Sequence, residues 1–274
     1  MKKAIAIIQA RMGSTRLPGK VLMPLAGKPL LWHIYNRLSH CREINKIIVA
    51  TTIDKSDDKI ENFCKKNKID FYRGSLNNVF KRFIDVIDKF SSEFVVRVPG
   101  DTPFPTPGFI DAQIRVLKQN KGDIIIAKDL GGFFTGQGTY PAQVPHTAYH
   151  FSEDKRDLEH VGSFYLAKNL DKLRAVEITV PKELIVKNCR LTIDTPEDYQ
   201  FISKIYKDLY QKDKLINLYM IKDWISKNKK LLNIYQQKPM DISYRQAEKI
   251  RKENLKRSNI VGSYAVKKGD IIRG

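Results

Sequence analysis

Ile7-Ile8-Gln9-Ala10-Arg11-Met12-Gly13-Ser14-Thr15-Arg16-Leu17-Pro18-Gly19-Lys20-Val21-Leu22 joins an apolar strand to a basic, glycine-bounded loop. Residues 4–8 are small or β-branched and carry no charge, the composition of a strand buried on both faces. A strand running straight into such a loop is how α/β proteins hold phosphates. Gly13 and Gly19 permit tight backbone turns that present N–H groups, Ser14 and Thr15 add hydroxyl donors, and Arg11, Arg16 and Lys20 add positive charge. The same composition also suits a plain basic surface turn.

The spacing excludes two common phosphate motifs. The ATPase loop has the form G-x-x-x-x-G-K-[ST], its last hydroxyl serving the metal. Here five residues separate Gly13 from Gly19, and Val21 follows Lys20. A metal accompanying the phosphates must therefore find carboxylates elsewhere. No G-x-G-x-x-G follows the strand, so a dinucleotide fingerprint is absent as well.

Outward from this loop, β-branched runs recur at 47–51, 94–98 and 123–127, separated by helical spacing at 29–39, 56–67, 78–90 and 107–119. That alternation predicts an α/β fold, a mostly parallel sheet with helices on both faces. Ligands in such sheets lie beyond the carboxyl ends of the strands, where loops 9–20 and 99–105 both belong. Gly131 to Gly138 is a glycine-dense loop, expected either as a lid over the site or as a plain connection. Segments 174–180 and 184–193 read as further strands. Thr195-Pro196-Glu197-Asp198 starts a helix running to about Tyr210, with a cap, a first-position proline and first-turn acids.

The 274 residues are 42% hydrophobic and 10% aromatic, enough for a packed core. No apolar run approaches the roughly 20 residues needed to span a bilayer, and polar Gln9 and Arg11 follow the first strand too closely for a secretory signal. A cytoplasmic location and no membrane insertion are expected. Cys41, Cys64 and Cys189 are isolated, predicting buried thiols rather than a disulfide framework or zinc site. His146 and His150 stand four apart but lack further ligands, and are read as structural. The net charge of +19 raises polyanion binding. Lysines outnumber arginines and are scattered, with no arginine-rich stripe interleaved with aromatics, so no specific nucleic-acid partner is expected.

The opening run, with Gly27-Lys28-Pro29-Leu30 after it, resembles the cytidylyltransferases that activate acidic sugars, the synthetases of CMP-Kdo and CMP-sialic acid. It is most similar to the branch related to spore-coat polysaccharide biosynthesis. The resemblance covers roughly residues 1–210 and implies a Rossmann-like nucleotide-diphospho-sugar transferase fold. It divides the chain into a catalytic domain at 1–211 and a lysine-rich C-terminal extension at 212–274. Residues 257–272 resemble the start of the small domain that follows the barrel in sialic-acid synthases. They are too few for an independent core, and are expected to pack on the main domain or a partner subunit.

Phe94-Val95-Val96-Arg97-Val98-Pro99-Gly100-Asp101 puts a carboxylate at a strand end facing the phosphate loop. Alone, Gly-Asp there is also an ordinary turn; the resemblance makes Asp101 a ligand of Mg2+, and Thr102-Pro103-Phe104 departs from the family's commoner Cys-Pro-Leu. Leu191-Thr192-Ile193-Asp194-Thr195-Pro196-Glu197-Asp198 is similar to the family's Val-Asp-Thr-Pro-Glu-Asp, which makes Asp194 the second metal carboxylate. Thr195 is then left to cap the helix. The resemblance implies Arg16, Lys20 and Asp101 as catalytic residues. Gln9, Ala10, Arg11, Met12, Gly13, Ser14, Thr15, Arg73, Asn78 and Arg82 would bind the nucleotide. Asp157-Leu158-Glu159-His160-Val161-Gly162 is similar to the segment lining the acceptor pocket, with Glu159 and His160 the candidates and Leu158 standing where the nearest branch has arginine. His160 alone is equally a structural histidine. The implied reaction is transfer of CMP from CTP to a nonulosonic or Kdo-like acid, with release of pyrophosphate, and a homodimer is implied as well. A nucleotidyltransferase using another triphosphate and a sugar phosphate is the near rival. A non-catalytic polyanion-binding protein is the distant one.

Overall fold

The computed structural model describes residues 4–127, 133, 138–186, 189–235 and 242–272. In chain order the elements are β1 (Ala4–Gln9), β2 (Pro24–Leu25), β3 (Lys28–Pro29), α1 (Leu30–Leu38), β4 (Ile44–Thr52), α2 (Asp58–Lys66), β5 (Asp70–Gly74), α3 (Val79–Phe90), β6 (Phe94–Pro99) and α4 (Pro107–Asn120). They continue as β7 (Ile124–Ile126), β8 (Gly138–Pro141), α5 (Gln143–Phe151), α6 (Asp157–His160), α7 (Ser163–Lys168), β9 (Arg174–Thr179), α8 (Pro196–Leu209), α9 (Leu218–Lys227), α10 (Lys229–Tyr235), α11 (Ile242–Asn254), β10 (Asn259–Ala265) and α12 (Lys268–Ile272).

The main sheet has the order β5-β4-β1-β6-β8, parallel except for β8, which runs antiparallel to β6. Because successive strand residues face opposite sides, β1 divides its apolar side chains between two cores. Ala4, Ala6 and Ile8 pack with Val49, Val96 and residues of α1, α4 and α8. Ile5 and Ile7 pack with Ile48, Val95 and residues of α3 and α5. Burial on both faces explains the uninterrupted apolar run.

The helices expected at 29–39, 56–67, 78–90 and 107–119 are α1 to α4. Two strand expectations need correction. The run at 123–127 leaves the main sheet: β7 pairs with β9, and β9 with β10, in a separate parallel sheet. The described part of 184–193 forms no strand. Its backbone bonds elsewhere, Ile193 N donating to Asp101 O at 2.8 Å. The glycine-dense run at 131–138 lies outside the described residues, apart from buried Phe133 and Gly138, which opens β8.

Residues beyond 211 share the core of the rest. Leu218, Ile221, Trp224, Val266 and Ile271 belong to the same apolar cluster as β1 and α4. The three cysteines are buried, and burial pushes the Cys64 and Cys189 thiols up to about 12. His146, on α5, lies 3.3 Å from the Asp88 carboxylate, and the His150 ring packs edge-on against Phe151.

Candidate active site

β1 is flanked by β4 on one side and β6 on the other, so the chain's crossovers diverge in opposite directions from its carboxyl end. Such a switch point opens a crevice beyond the sheet. Loop 10–20 leaves β1 there, and residues 99–101 leave β6 beside it. Gly100 N donates to Gln9 O at 2.8 Å. A Cβ on Gly100 would sit 2.6 Å from that same oxygen, so glycine is what allows Asp101 to come this close to the loop.

The loop is folded on itself. Ser14 N and Gly19 N both donate to Met12 O at 2.9 Å, and Gly19 takes the left-handed conformation at φ +72°. Met12 N donates to Asp57 Oδ1 at 2.7 Å. The amides of Met12 and Ser14 are thereby spent, whereas those of Gly13 and Thr15 have no hydrogen-bond partner among the described residues. A Cβ placed on Gly13 meets only open space. That arrangement suits an oligophosphate lying over the loop.

At the loop's end the Lys20 ammonium is buried among oxygens. It donates to Asp101 Oδ2 and Ile193 O, both at 2.7 Å, and to Asp194 Oδ1 at 3.2 Å. Arg16 Nη2 reaches the same Asp194 oxygen at 3.0 Å. Behind them Arg190 lies 3.6 Å from Asp194 Oδ2 and donates to Asp198 Oδ1 at 3.1 Å. Asp198 Oδ2 accepts from the backbone N–H groups of Asp194 and Thr195, each at 3.0 Å. Thr195 caps α8 in a reciprocal capping box with Asp198. Asp194 is thus held by the cap without being the cap.

Two half-buried carboxylates converging on one ammonium make a hard-oxygen donor set. Among the described residues no group of three or more histidine, cysteine, aspartate or glutamate side chains gathers in metal-binding fashion. An ion here would take two protein carboxylates and complete its shell from phosphate and water, the habit of Mg2+. Asp101 and Asp194 fit that ion.

The remaining candidates divide. Arg11 Nη2 lies 3.9 Å from Glu159 on α6, and His160 closes that helix with its ring 6.0 Å from Phe164. Arg82 is 2% exposed, donates Nη1 to Ser75 O at 2.5 Å, and leaves Nε buried without a partner. Burial, reinforced by the Arg11 charge, brings its guanidinium down to about 10. Gln9 Oε1 accepts from Arg97 Nε at 2.9 Å, while Gln9 Nε2 is buried and unpartnered. Ala10 is buried at the loop's root. Arg73 is drawn away toward α2, its Nη1 bonded to Asp58 and Glu61 at 2.6 Å each, and Asn78 caps α3 through Lys81 N at 2.7 Å.

Sequence reading missed Asp57, Arg190 and Arg97. Asp57 offered one signal, an acid at the first helical turn after a central strand. Arg190 sits in a stretch without regular structure, and only its position four residues before Asp194 linked the two. Arg97 was hidden inside an apolar strand.

The model of the family described as Cytidylyltransferase matches residues 5–250. The chain is 32% identical over 213 residues to the spore coat polysaccharide biosynthesis protein SpsF of Bacillus subtilis, covering 76% of this chain and 88% of that protein. A cytidylyltransferase structure from Leptospira borgpetersenii superposes with a TM-score of 0.76 at 26% identity, over 88% of this chain and all of that one. The CTP complex of CMP:2-keto-3-deoxy-manno-octonic acid synthetase superposes at 0.59 with 17% identity, over 76% of this chain and all of that one, a likeness of fold.

Proposed function

The chain belongs to the cytidylyltransferase family, and on that premise we propose that it transfers CMP from CTP to an acidic 2-keto sugar, releasing pyrophosphate, for surface polysaccharide synthesis. The observation carrying this is the junction of phosphate loop and carboxylates, with Lys20 bonded to both Asp101 and Asp194 at the sheet's switch point. An acceptor hydroxyl attacks the α-phosphorus in line, forming the new P–O bond as its proton passes to solvent. The bond between α-phosphorus and the bridging oxygen breaks, and that oxygen leaves with pyrophosphate.

The residues divide the work by charge. The free amides of Gly13 and Thr15, with Arg11, hold the triphosphate over the loop, and Arg16 and Lys20 neutralise charge on the departing β and γ phosphates. The loop amides are in place before substrate arrives, whereas Arg16 and Lys20 would exchange their bonds to Asp101 and Asp194 for phosphate oxygens as triphosphate and metal enter. Asp101 and Asp194 would hold Mg2+, which supplies Lewis-acid polarisation of the phosphoryl oxygen. Asp198 and Arg190 orient Asp194. Arg82, buried beside Arg11 with a donor to spare, is poised for the nucleotide or the acceptor carboxylate, and Glu159 and His160 face the acceptor side.

Pyrophosphate release, measured for four triphosphates against a panel of acidic sugars and sugar phosphates, with Mg2+ and with EDTA, tests the proposal. CTP with a 2-keto sugar acid should turn over and EDTA should stop it. Preference for another triphosphate with a sugar phosphate would sink it. Asp101→Asn should reduce turnover at least about 100-fold, the scale of losing transition-state charge stabilisation, with the melting temperature nearly unchanged. Near wild-type turnover would remove Asp101 from the metal site.

A further inference from the structure

The C-terminal end of α8, the face of α1 and the turn at 211–216 enclose a cavity of about 370 Å³, lined by none of the residues assigned to transfer. That volume falls in the range of small-molecule sites. The β2–β3 hairpin contributes Lys28 at its edge.

The floor is ordered and positive. His33 Nε2 donates to Leu25 O at 2.7 Å, and Arg37 donates Nε to Pro105 O and Nη1 to Ile216 O, both at 2.8 Å. Arg37 is 4% exposed, and no carboxylate among the described residues pairs with it. A buried cation satisfied only by carbonyls keeps its field uncompensated. His33 registers this: burial holds its pKa below the ordinary range, and the Arg37 and Lys28 charges lower it further. Around the mouth, Lys28, Lys212 and Lys214 have no carboxylate partner among the described residues, and Asp213 is the single acid of the lining.

The second ingredient is aromatic. Trp32 lines the cavity with the Lys28 ammonium 5.5 Å from its ring centroid. The Tyr206 and Tyr210 rings pack around His33 at centroid distances of 4.5 and 5.5 Å. Cations alone would suit any polyanion, and aromatics alone any apolar ring. A sugar acid lacks a flat ring, and pyrophosphate lacks any ring. A ligand carrying both a planar base and phosphate satisfies the two sets together.

We propose that this cavity is a second nucleotide site, receiving the base of a nucleoside phosphate against Trp32 and its phosphate among Lys28, Lys212 and Lys214. It does not depend on the transfer reaction proposed above. Its position has a mechanical consequence, since its walls belong to the elements that position the catalytic groups. The β2–β3 hairpin continues from Lys20, and α8 begins immediately after Asp194. The Tyr199 hydroxyl on α8 donates to Pro24 O at 2.5 Å, tying the two elements together.

The chain has two tryptophans, and Trp224 is buried away from the cavity lining, so Trp224→Phe leaves Trp32 as the reporter. Titrating that variant with CMP at physiological ionic strength should give saturable quenching. Adding Lys28→Ala, Lys212→Ala and Lys214→Ala should weaken it at least tenfold. Calorimetry on the chain with both tryptophans, which does not depend on the folding of Trp224→Phe, should find one more CMP per chain than it finds in the triple-lysine variant, whatever the transfer site binds. Pyrophosphate should bind the cavity more weakly than CMP. The same CMP stoichiometry in the chain and its triple-lysine variant, quenching indifferent to the lysines, or equal affinity for pyrophosphate would overturn the nucleotide site. Failure of pyrophosphate release from CTP would leave these readouts untouched, so the two proposals fail separately.

Discussion

Asp57 is 1% exposed and accepts hydrogen bonds from four donors. Its Oδ1 takes Met12 N at 2.7 Å; its Oδ2 takes Thr52 N at 3.1 Å and the hydroxyls of Thr51 and Thr52 at 3.0 and 2.5 Å. A carboxylate is the side chain that can accept at both oxygens with no donor in the way. Asp57→Asn must turn an NH2 either toward Met12 N–H or toward three donors, leaving donors facing each other in a buried place. That should cost about 1–3 kcal/mol and loosen the loop against β4. The expected signature is a lowered melting temperature, with KM for the triphosphate raised more than kcat is lowered. An unchanged KM in the folded fraction would reduce Asp57 to a purely structural role. Gly100→Ala acts at the opposite edge of the loop: its Cβ would press on Gln9 O, 2.6 Å away, and displace Asp101. A shift approaching 1 Å at a catalytic group is worth about 100-fold in rate, so kcat should fall steeply. Turnover within twofold of wild type would show that the backbone yields elsewhere.

At the scale of elements, α8 joins stability to the site. Its cap uses the Thr195 hydroxyl on Asp198 N and the Asp198 carboxylate on the N–H groups of Asp194 and Thr195. Thr195→Ala should cost about 1 kcal/mol, a fall of about 2–4 °C in melting temperature for a chain of this size. Asp198→Ala should go further, because it also frees Arg190 and the backbone that carries Asp194. A thermal melt paired with steady-state turnover separates the two, and equal turnover losses would count against that positioning role. This helix was legible in the sequence because every part of its cap is local. α1 to α4 were legible for a related reason, an apolar stripe written within one segment. The 184–193 segment was not: apolar and β-branched residues there imitate a strand, while the partner of Ile193 N is the distant Asp101 carbonyl. The site shows the same division. The phosphate loop is one contiguous run, but Met12 N and Gln9, which Asp57 and Arg97 bond, lie across the fold, Arg190 reaches Asp194 and Asp198 from a stretch without regular structure, and Arg73, on β5, is claimed by carboxylates of α2.

At the scale of the whole molecule, the C-terminal residues are built into the structure that holds the site. β10 pairs in parallel with β9 along Asn259–Ala265 and so covers what would otherwise be an edge of the second sheet. α12 then packs on α4, closely enough that a Cβ on Gly108 would run into Asp270 O. Asp270 fastens the turn: its Oδ2 accepts from Lys267 N at 3.0 Å and the Tyr264 hydroxyl at 2.8 Å, and its Oδ1 lies 3.5 Å from Arg115 on α4. Val266 and Ile271 add apolar surface to the core shared with β1 and α4. Ending the chain at Ser258 would remove no residue assigned to transfer. It would still uncover the β9 edge and forfeit two buried aliphatic side chains, worth about 3–6 kcal/mol at 1.5–3 kcal/mol each. The truncated chain should therefore melt well below the full one and aggregate more readily, with its kcat preserved at temperatures where it stays folded. α4 lies between the tail and the Asp101 loop, so a kcat that fell while the melting temperature held would instead mean that the tail shapes the site directly. Unchanged melting would mean that β9 and α4 close the second sheet without it.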